Sequence, residues 1–221
     1  MPSIPIKPEY TPTFGQLYGP RWRAARRATR AAIIALVLAL LVLAAAVVLT
    51  LTDAHYSHGG PVPFHLRYRS LSRVAPVDGE YVRLAATGPD GALENAFAVG
   101  PLELGAYSGN VSGYLPIYAN GVIAGLIRQY PDFALQGEGE ERVDTTNGVY
   151  NPAGYEISFS TRLGGVPVDG RVVLIVAPHG DGRAGLTVTM LTRANSGVDA
   201  AHPVGSDGVL NLPFGTLTFV G

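Results

Sequence analysis

The sequence AAIIALVLALLVLAAAVVLTLT, residues 31–52, divides the chain into three parts. Its 22 residues include no charged side chain, no glycine and no proline. At about 1.5 Å per residue, a helix of this length is ~33 Å long, close to the ~30 Å hydrocarbon thickness of a bilayer. The stretch therefore predicts a transmembrane helix, with a cytoplasmic tail of residues 1–30 before it and the larger part of the chain after it.

A cleaved signal peptide is the main alternative to a retained anchor. The apolar region of a signal peptide usually runs for about 7–15 residues and ends at a small-x-small cleavage site. Here the apolar run is longer, 30 residues precede it, and the alanines at 44–46 lie inside the run. We therefore expect an uncleaved anchor. A buried globular helix would also be apolar on every side, but it fits poorly with 22 uninterrupted residues flanked by charge.

Charge asymmetry across the predicted span gives its orientation. Six basic residues and one acid precede residue 31, whereas the first charged residue after the span is Asp53. Basic residues close to a span remain in the cytoplasm. We therefore expect the amino terminus inside and everything after Asp53 outside. The predicted location is the cytoplasmic membrane, crossed once, and the lipid bilayer is the first predicted partner.

The segment RWRAARRATR, residues 21–30, is the predicted membrane interface. Its arginines would contact anionic headgroups, with a tryptophan at headgroup depth. The predicted interface residues are Arg21, Trp22, Arg23, Arg26, Arg27 and Arg30. Residues 1–20 carry five prolines, which favours either a disordered leader or a polyproline II segment recognised by a docking groove. A net charge of −1 and this small basic segment do not indicate nucleic-acid binding.

The part of the chain after the span is expected to form one domain. Residues 53–63, DAHYSHGGPVP, are rich in small and turn-forming residues and are interpreted as a linker. In residues 64–221, alternating segments such as FHLRYRSL and several Asp-Gly pairs indicate strands joined by hairpin turns. We therefore predict an extracytoplasmic α+β domain with an antiparallel sheet. Its last stretch, 209–220, is interpreted as a loop and a final strand.

One segment, LPIYANGVIAGLIRQY at residues 115–130, departs from the strand pattern. Its apolar residues recur every three or four positions, which predicts an amphipathic helix packed on one face of the sheet. Pro116 fits the first turn of such a helix, and Pro131 ends it. Gly121 and Gly125 each cost about 1 kcal/mol relative to alanine within a helix. The expected compensation is a close approach of this helix to the sheet.

Five segments follow one another in the second half of the chain: LPIYANGVIAGLIRQY, FALQGEGEERV, GYEISFS, GRVVLIVAP and GLTVTMLT. Their order resembles that of PsbP-like domains, a group that includes DcrB-like and LpqN-like bacterial envelope proteins. The resemblance covers residues 64–193 and rests on element order and on the placement of aromatic residues and glycines. The resemblance implies an α/β/α sandwich, for which the second helix is not clear in the sequence. The group shares no catalytic set, so no functional residue is carried over.

The sequence contains no recognisable catalytic or metal-binding motif. It has no cysteine, Ser112 and Ser206 lie outside a Gly-x-Ser-x-Gly motif, and the pair His55 and His58 has no third ligand beside it. The acidic run at 138–144 alternates with glycine and is interpreted as a solvated strand that prevents edge-to-edge pairing. Weak divalent-ion binding is the alternative for that run. We predict no catalytic residue, no cofactor and no metal ligand.

Tyrosines are concentrated around the predicted helix and the strands that follow it. Tyrosines in loops can form a binding surface at low entropic cost. The alternative is that they fill the core, with their hydroxyls at its rim. The candidate interaction surface consists of Tyr107, Tyr114, Tyr118 and Tyr150.

These features together predict a single-pass protein of a bacterial cell envelope. Arginine outnumbers lysine fifteen to one, which is typical of a GC-rich bacterial genome. The exterior domain is predicted to be a non-enzymatic interaction or ligand-binding module, with an envelope or membrane protein as its partner. The alternatives are an accessory subunit of a larger membrane assembly and an enzyme whose site is assembled from distant residues.

Overall fold

The computed structural model describes residues 27–77, 79–142, 153–178, 181–194 and 203–220. The chain divides into two compact units, Met1–Leu51 and Thr52–Gly221.

In the first unit, the described residues form one helix, α1, at Arg27–Leu51. The large apolar side chains of α1 are exposed at consecutive positions, so they cover all sides of the helix. They are Ile33, Ile34, Leu36, Val37, Leu38, Leu40, Leu41, Val42, Leu43, Val47 and Val48. Among the described residues, no helix is both long enough and apolar enough to cross a membrane.

In the second unit, the described residues form two antiparallel sheets and two helices. One sheet has three strands in the order β1-β2-β10, and the other has seven in the order β3-β4-β5-β9-β8-β7-β6. The elements are β1 Ala54–His58, β2 Phe64–Tyr68, β3 Ser72–Val74, β4 Val82–Thr87, β5 Leu93–Glu103, α2 Val111–Gln129, β6 Ala134–Arg142, β7 Ala153–Leu163, β8 Val166–Val176, β9 Ala184–Arg193, α3 Gly208–Gly215 and β10 Thr218–Phe219. The predicted α+β class with an antiparallel sheet is confirmed.

The hairpin of β7 and β8 lies between the central strand β9 and the edge strand β6 of the large sheet. Its turn is Gly164-Gly165, and the flanking residues Leu163 and Val166 pair directly. Both glycines have positive φ, 59° and 83°. A two-residue turn with positive φ at both positions matches the right-handed twist of the strands, and glycine adopts it without steric cost. The turn therefore fixes the register in which β8 pairs with β7.

The seven-stranded sheet has a hydrophobic core on each face. On one face, α2 packs against the sheet through Leu115, Ala119 and Leu126, all of which are buried. On β8, Leu174 belongs to this core, whereas the next residue, Ile175, belongs to the core on the other face. Successive residues of a strand point to opposite faces. The continuous apolar run VVLIV in β8 is explained by the burial of both faces.

The second face is covered by the three-stranded sheet together with α3. Phe64 and Leu66 of β2 and Leu210 of α3 are buried in this core. The layers are therefore a helix, the large sheet, and a third layer that combines a small sheet with a short helix. Among the described residues, α2 lies on one face of the large sheet and α3 on the other.

Two segments differ from their predicted structure. Residues 54–58, interpreted as part of a linker, form β1 and pair along the whole of β2. The aromatic rings of Tyr56 and His58 pack near Phe64, with centroids 5.9 and 5.4 Å away, which ties this segment to the core. The stretch 209–220, interpreted as a loop and a strand, includes most of α3. This helix has eight residues and contains a proline, so it shows little helical periodicity.

Helix α2 confirms the predicted helix but begins four residues earlier. Asn110 caps it, because its side-chain oxygen accepts a hydrogen bond from the Gly113 amide at 2.8 Å. The predicted reason for Gly121 and Gly125 is wrong. A Cβ atom added at either position would meet no atom within 4 Å, so neither glycine permits a close approach to the sheet.

Candidate interaction surface

Three of the four predicted tyrosines lie at the amino-terminal end of α2. The ring of Tyr107 stacks on that of Tyr114, with centroids 4.7 Å apart and planes 13° apart. Tyr118 follows Tyr114 by four residues, which places it one turn further along the same side of the helix. The fourth, Tyr150, lies outside the described residues.

Tyr107 is held in place by the connection between β8 and β9. Its hydroxyl donates a hydrogen bond to the Gly182 carbonyl at 3.1 Å. Gly182 has a φ of 74°, and a Cβ atom added there would lie 3.0 Å from the Tyr107 hydroxyl. The glycine therefore allows the turn to approach the ring. This hydrogen bond gives Tyr107 a structural role, although its side chain is only half-buried.

The three tyrosines are half-buried. Partial burial raises the pKa of the Tyr118 phenol above its ordinary value, and the nearby carboxylate of Glu103 and the Tyr114 phenol raise it further. Tyr118 is therefore a hydrogen-bond donor that does not ionise near pH 7. Half-burial agrees with packing at the rim of the core, and binding through these tyrosines stays a prediction.

The solvent-facing side of α2 is a second candidate surface. Two of its isoleucines, Ile117 and Ile127, are 65% and 57% exposed. Small residues accompany them on the same side, because Gly121 and Ala124 are also exposed. We call Ile117, Gly121, Ala124 and Ile127 the outer face of α2. Ile127 belongs to the apolar residues that recur every three or four positions, so the pattern predicts that it faces the sheet, and this prediction is wrong. Exposed apolar side chains grouped in this way are typical of protein-binding surfaces.

A shallow cavity of about 250 Å³ lies at the end of the large sheet where the β8–β9 connection meets the end of β10. Its walls come from residues 61–63, 177–178 and 219–220 and from Ala184. None of these side chains is charged or carries a hydrogen-bonding group. The cavity could accept a small apolar group but offers nothing to orient it.

The sequence predicts no metal site at His55 and His58, because no third ligand lies beside this pair. Both residues lie on β1, where His55 is exposed and His58 stacks on Tyr81 with ring centroids 4.0 Å apart. The His58 Nε2 atom is buried without a hydrogen-bond partner in the described part of the chain. Over the same residues, no three His, Asp or Glu side chains are grouped so that they could bind a metal ion.

The described part of the acidic segment, residues 138–142, lies in β6, an edge strand of the large sheet. Glu138 pairs with Ile157 and Glu140 with Tyr155, so both carboxylates lie on the face that α2 covers. Both are exposed. Glu138 and Glu140 agree with the predicted solvated strand, whereas Glu141 is partly buried in an ion pair with Arg171.

A buried arginine was not identified from the sequence. Arg171 on β8 contacts Glu156 on β7 and Glu141 on β6, at 2.7 and 2.9 Å. These partners are 15 and 30 positions away along the chain, and only the pairing of the strands brings them together. No local motif signals such a cluster.

The predicted membrane-interface residues lie mostly outside the described part of the chain. Arg21, Trp22, Arg23 and Arg26 precede it. Arg27 begins α1 and is exposed, and Arg30 lies in the same helix. The interface therefore stays a prediction.

No protein-family model and no curated protein matches the chain. One of the solved structures that resemble it is LpqN of Mycobacterium tuberculosis, which is described as involved in cell envelope biogenesis. The two chains are 12% identical with a TM-score of 0.44, and the match covers 76% of this chain and 92% of LpqN. A Pseudomonas aeruginosa protein of unknown function has 15% identity, a TM-score of 0.36, and coverage of 64% and 83%. The Ran-binding protein Mog1p of Saccharomyces cerevisiae has 11% identity, a TM-score of 0.39, and coverage of 65% and 78%. These likenesses are weak.

Proposed function

We propose that the protein is a single-pass membrane protein of a bacterial cell envelope, with its α+β domain outside the cytoplasm as a non-enzymatic interaction module. The observation that supports the anchor is the exposure of apolar side chains at consecutive positions around α1. Exposure of such a surface to water is unfavourable, because removing one leucine or isoleucine side chain from water lowers the free energy by about 1.5–3 kcal/mol. A lipid environment would satisfy all sides of the helix at once.

The proposed orientation follows from the charges on the two sides of α1. The arginines of the segment 21–30 would stay with the cytoplasmic leaflet. On the other side, Asp53 is the first charged residue, and it pairs with Arg69 at 2.6 Å within the domain. The first residues after α1 are thus fixed to the folded domain by an ion pair and by β1.

The interaction role is supported by the outer face of α2. Glycine in the interior of an exposed helix costs stability, and no atom of the described residues lies within 4 Å of a Cβ atom built at Gly121. Exposed Ile117 and Ile127 flank that space along the helix. A partner that packs against a flat, apolar helix face would account for both features. The same face would suit an accessory subunit of a membrane assembly, which is the second candidate function.

Cysteine labelling tests the anchor and its orientation, since the natural chain contains no cysteine. Ser3→Cys places one thiol in the tail, and Ser112→Cys places one at an exposed position of α2. In intact spheroplasts, a membrane-impermeant maleimide should label position 112 and spare position 3. Both should react after the membrane is dissolved. Labelling of position 3 but not 112 in spheroplasts would contradict the proposed orientation.

Crosslinking in cells tests the interaction role. A photoreactive amino acid at Ile117 should give a defined crosslinked product with an envelope or membrane protein. The matched control is Thr87, which is exposed on a strand away from α2. One stoichiometric membrane partner would favour the accessory-subunit function. Equal crosslinking from both positions, or none from Ile117, would count against a docking role for this face.

A further inference from the structure

Arg171 lies between two carboxylates on the face of the large sheet opposite α2. Its side chain is 4% exposed. Its Nη2 atom lies 2.9 Å from Glu141 Oε2 and 2.7 Å from Glu156 Oε2, and its Nε donates to Glu156 Oε2 at 2.8 Å. The cluster therefore connects three adjacent strands, β6, β7 and β8, with the edge strand at one end.

The same guanidinium also holds the carboxyl-terminal segment. Its Nη1 donates to the Val204 carbonyl at 3.3 Å, and its central carbon lies 5.2 Å from the centre of the Phe214 ring. That distance is within the range of a cation–π contact. Val204, Leu210 and Leu217 are buried in the core on this face. Arg171 therefore joins the strands to the segment 203–217, which covers that core.

Two negative groups share this one cation. The side chains of Glu141 and Glu156 are 22% and 25% exposed, so water screens them only in part. Helix α3, GVLNLPFG, brings no charged residue to the cluster. The cluster itself thus holds two carboxylates and one guanidinium at neutral pH.

Because of the excess negative charge, the stability of the folded domain depends on pH. Burial raises the pKa of the Glu141 carboxyl, Arg171 opposes this increase, and Glu156 adds to it, so that the pKa lies above its usual range. A carboxyl with a higher pKa in the folded than in the unfolded state binds protons on folding. The contribution of such a carboxyl to the stability of the folded state is full at pH values below the unfolded pKa of about 4.3. It is lost as the pH rises through the pKa of the folded state. Ionised Glu141 therefore opposes folding at neutral pH.

We propose that Arg171, Glu141 and Glu156 form a pH-sensitive latch that holds β6 and the segment 203–217 more tightly at mildly acidic pH than at neutral pH. When Glu141 is protonated, Arg171 pairs with Glu156 alone, so that the two charges balance. The neutral carboxyl can still accept a hydrogen bond from the guanidinium. The latch is independent of the proposed membrane location.

Urea unfolding of the full chain in detergent tests the latch, with far-UV circular dichroism between pH 8 and pH 5. The wild-type midpoint should rise as the pH falls. Glu141→Gln, which imitates the protonated side chain, should raise the midpoint at pH 8 and remove at least half of the pH dependence. Glu140→Gln is the matched control, because it removes one charge from the adjacent position on the opposite face of β6. It should keep the wild-type pH dependence.

Hydrogen exchange of the same samples tests which part of the fold responds. After correction for the intrinsic effect of pH, amides in residues 203–220 should be better protected at pH 5.5 than at pH 8 in the wild type, and equally protected at both in Glu141→Gln. The proposal is overturned if Glu141→Gln keeps the wild-type pH dependence or if Glu140→Gln removes as much of it. A Glu141→Gln chain that does not fold would also overturn it.

Discussion

Replacing Gly121 by alanine should make the domain more stable. Gly121 lies in the interior of α2, is exposed, and has no φ in the left-handed region. A Cβ atom built at this position meets no atom within 4 Å. The substitution therefore adds a methyl group without a clash and restricts the unfolded chain.

The size of this effect follows from the helical position. Alanine is better than glycine in a helix interior by about 1 kcal/mol, and glycine-to-alanine changes at compatible sites stabilise proteins by about 0.4–1 kcal/mol. The two figures describe largely the same effect, so we expect a gain of about 0.5–1 kcal/mol. With a urea m-value of ~2 kcal/mol per molar, the unfolding midpoint should rise by roughly 0.25–0.5 M.

The assay is urea unfolding at fixed pH. Gly185→Ala serves as a control that should change the stability in the opposite direction. A Cβ atom at Gly185 would lie 2.1 Å from the backbone oxygen of Ile175, which cannot move away easily. Gly185→Ala should therefore destabilise by about 1–3 kcal/mol, as overpacking does. Loss of stability in Gly121→Ala would refute the view that this side of α2 is open. If the Gly121→Ala variant is more stable but gives less crosslinked product from position 117, this result would support a partner on that face.

Three further substitutions test separate parts of the account. Asn110→Ala removes the cap on the Gly113 amide and should cost about 1 kcal/mol of unfolding free energy, measured by urea unfolding; an unchanged midpoint would contradict the capping role. Tyr107→Phe removes the hydrogen bond to Gly182 and should cost about 0.5–1.5 kcal/mol, with faster hydrogen exchange near that turn; unchanged exchange would show that the bond contributes nothing. Leu41→Arg in α1 should impose about 2.5–3.5 kcal/mol on membrane insertion and reduce the membrane-bound fraction, whereas full retention would argue against a span.

The sequence predicts the elements whose patterns are long or strongly marked. The helix at 115–130 has four turns of periodic apolar residues, and α2 contains nearly all of it. The alternating segments FHLRYRSL and YEISFST lie largely in β2 and β7. In these segments the local pattern and the final burial agree.

The elements that the sequence does not reveal depend on distant contacts. Helix α3 is short and contains Pro213, so its buried position depends on the sheet that it covers. The strand at 54–58 becomes recognisable only when it pairs with β2. The sequence also does not reveal the surroundings of Gly121, because a glycine in a helix has the same sequence pattern whether it faces the sheet or the solvent.

The candidate site was predictable only in part. The sequence predicts a concentration of tyrosines around α2, whereas the stacking of Tyr107 on Tyr114 required the structure. The outer face of α2 required the structure, since the phase of the helix decides whether Ile127 is buried or exposed. The cluster around Arg171 required the register of three strands, which residue spacing alone does not specify.

The most direct test of the central claim is the mass of the protein recovered from membranes washed with alkaline carbonate. If α1 is retained as an anchor, the washed membranes should contain the whole chain at its sequence mass, 23.2 kDa apart from processing of the initiator methionine. Recovery of the chain in the carbonate supernatant, or of a shorter chain that lacks residues 31–52, would contradict the account.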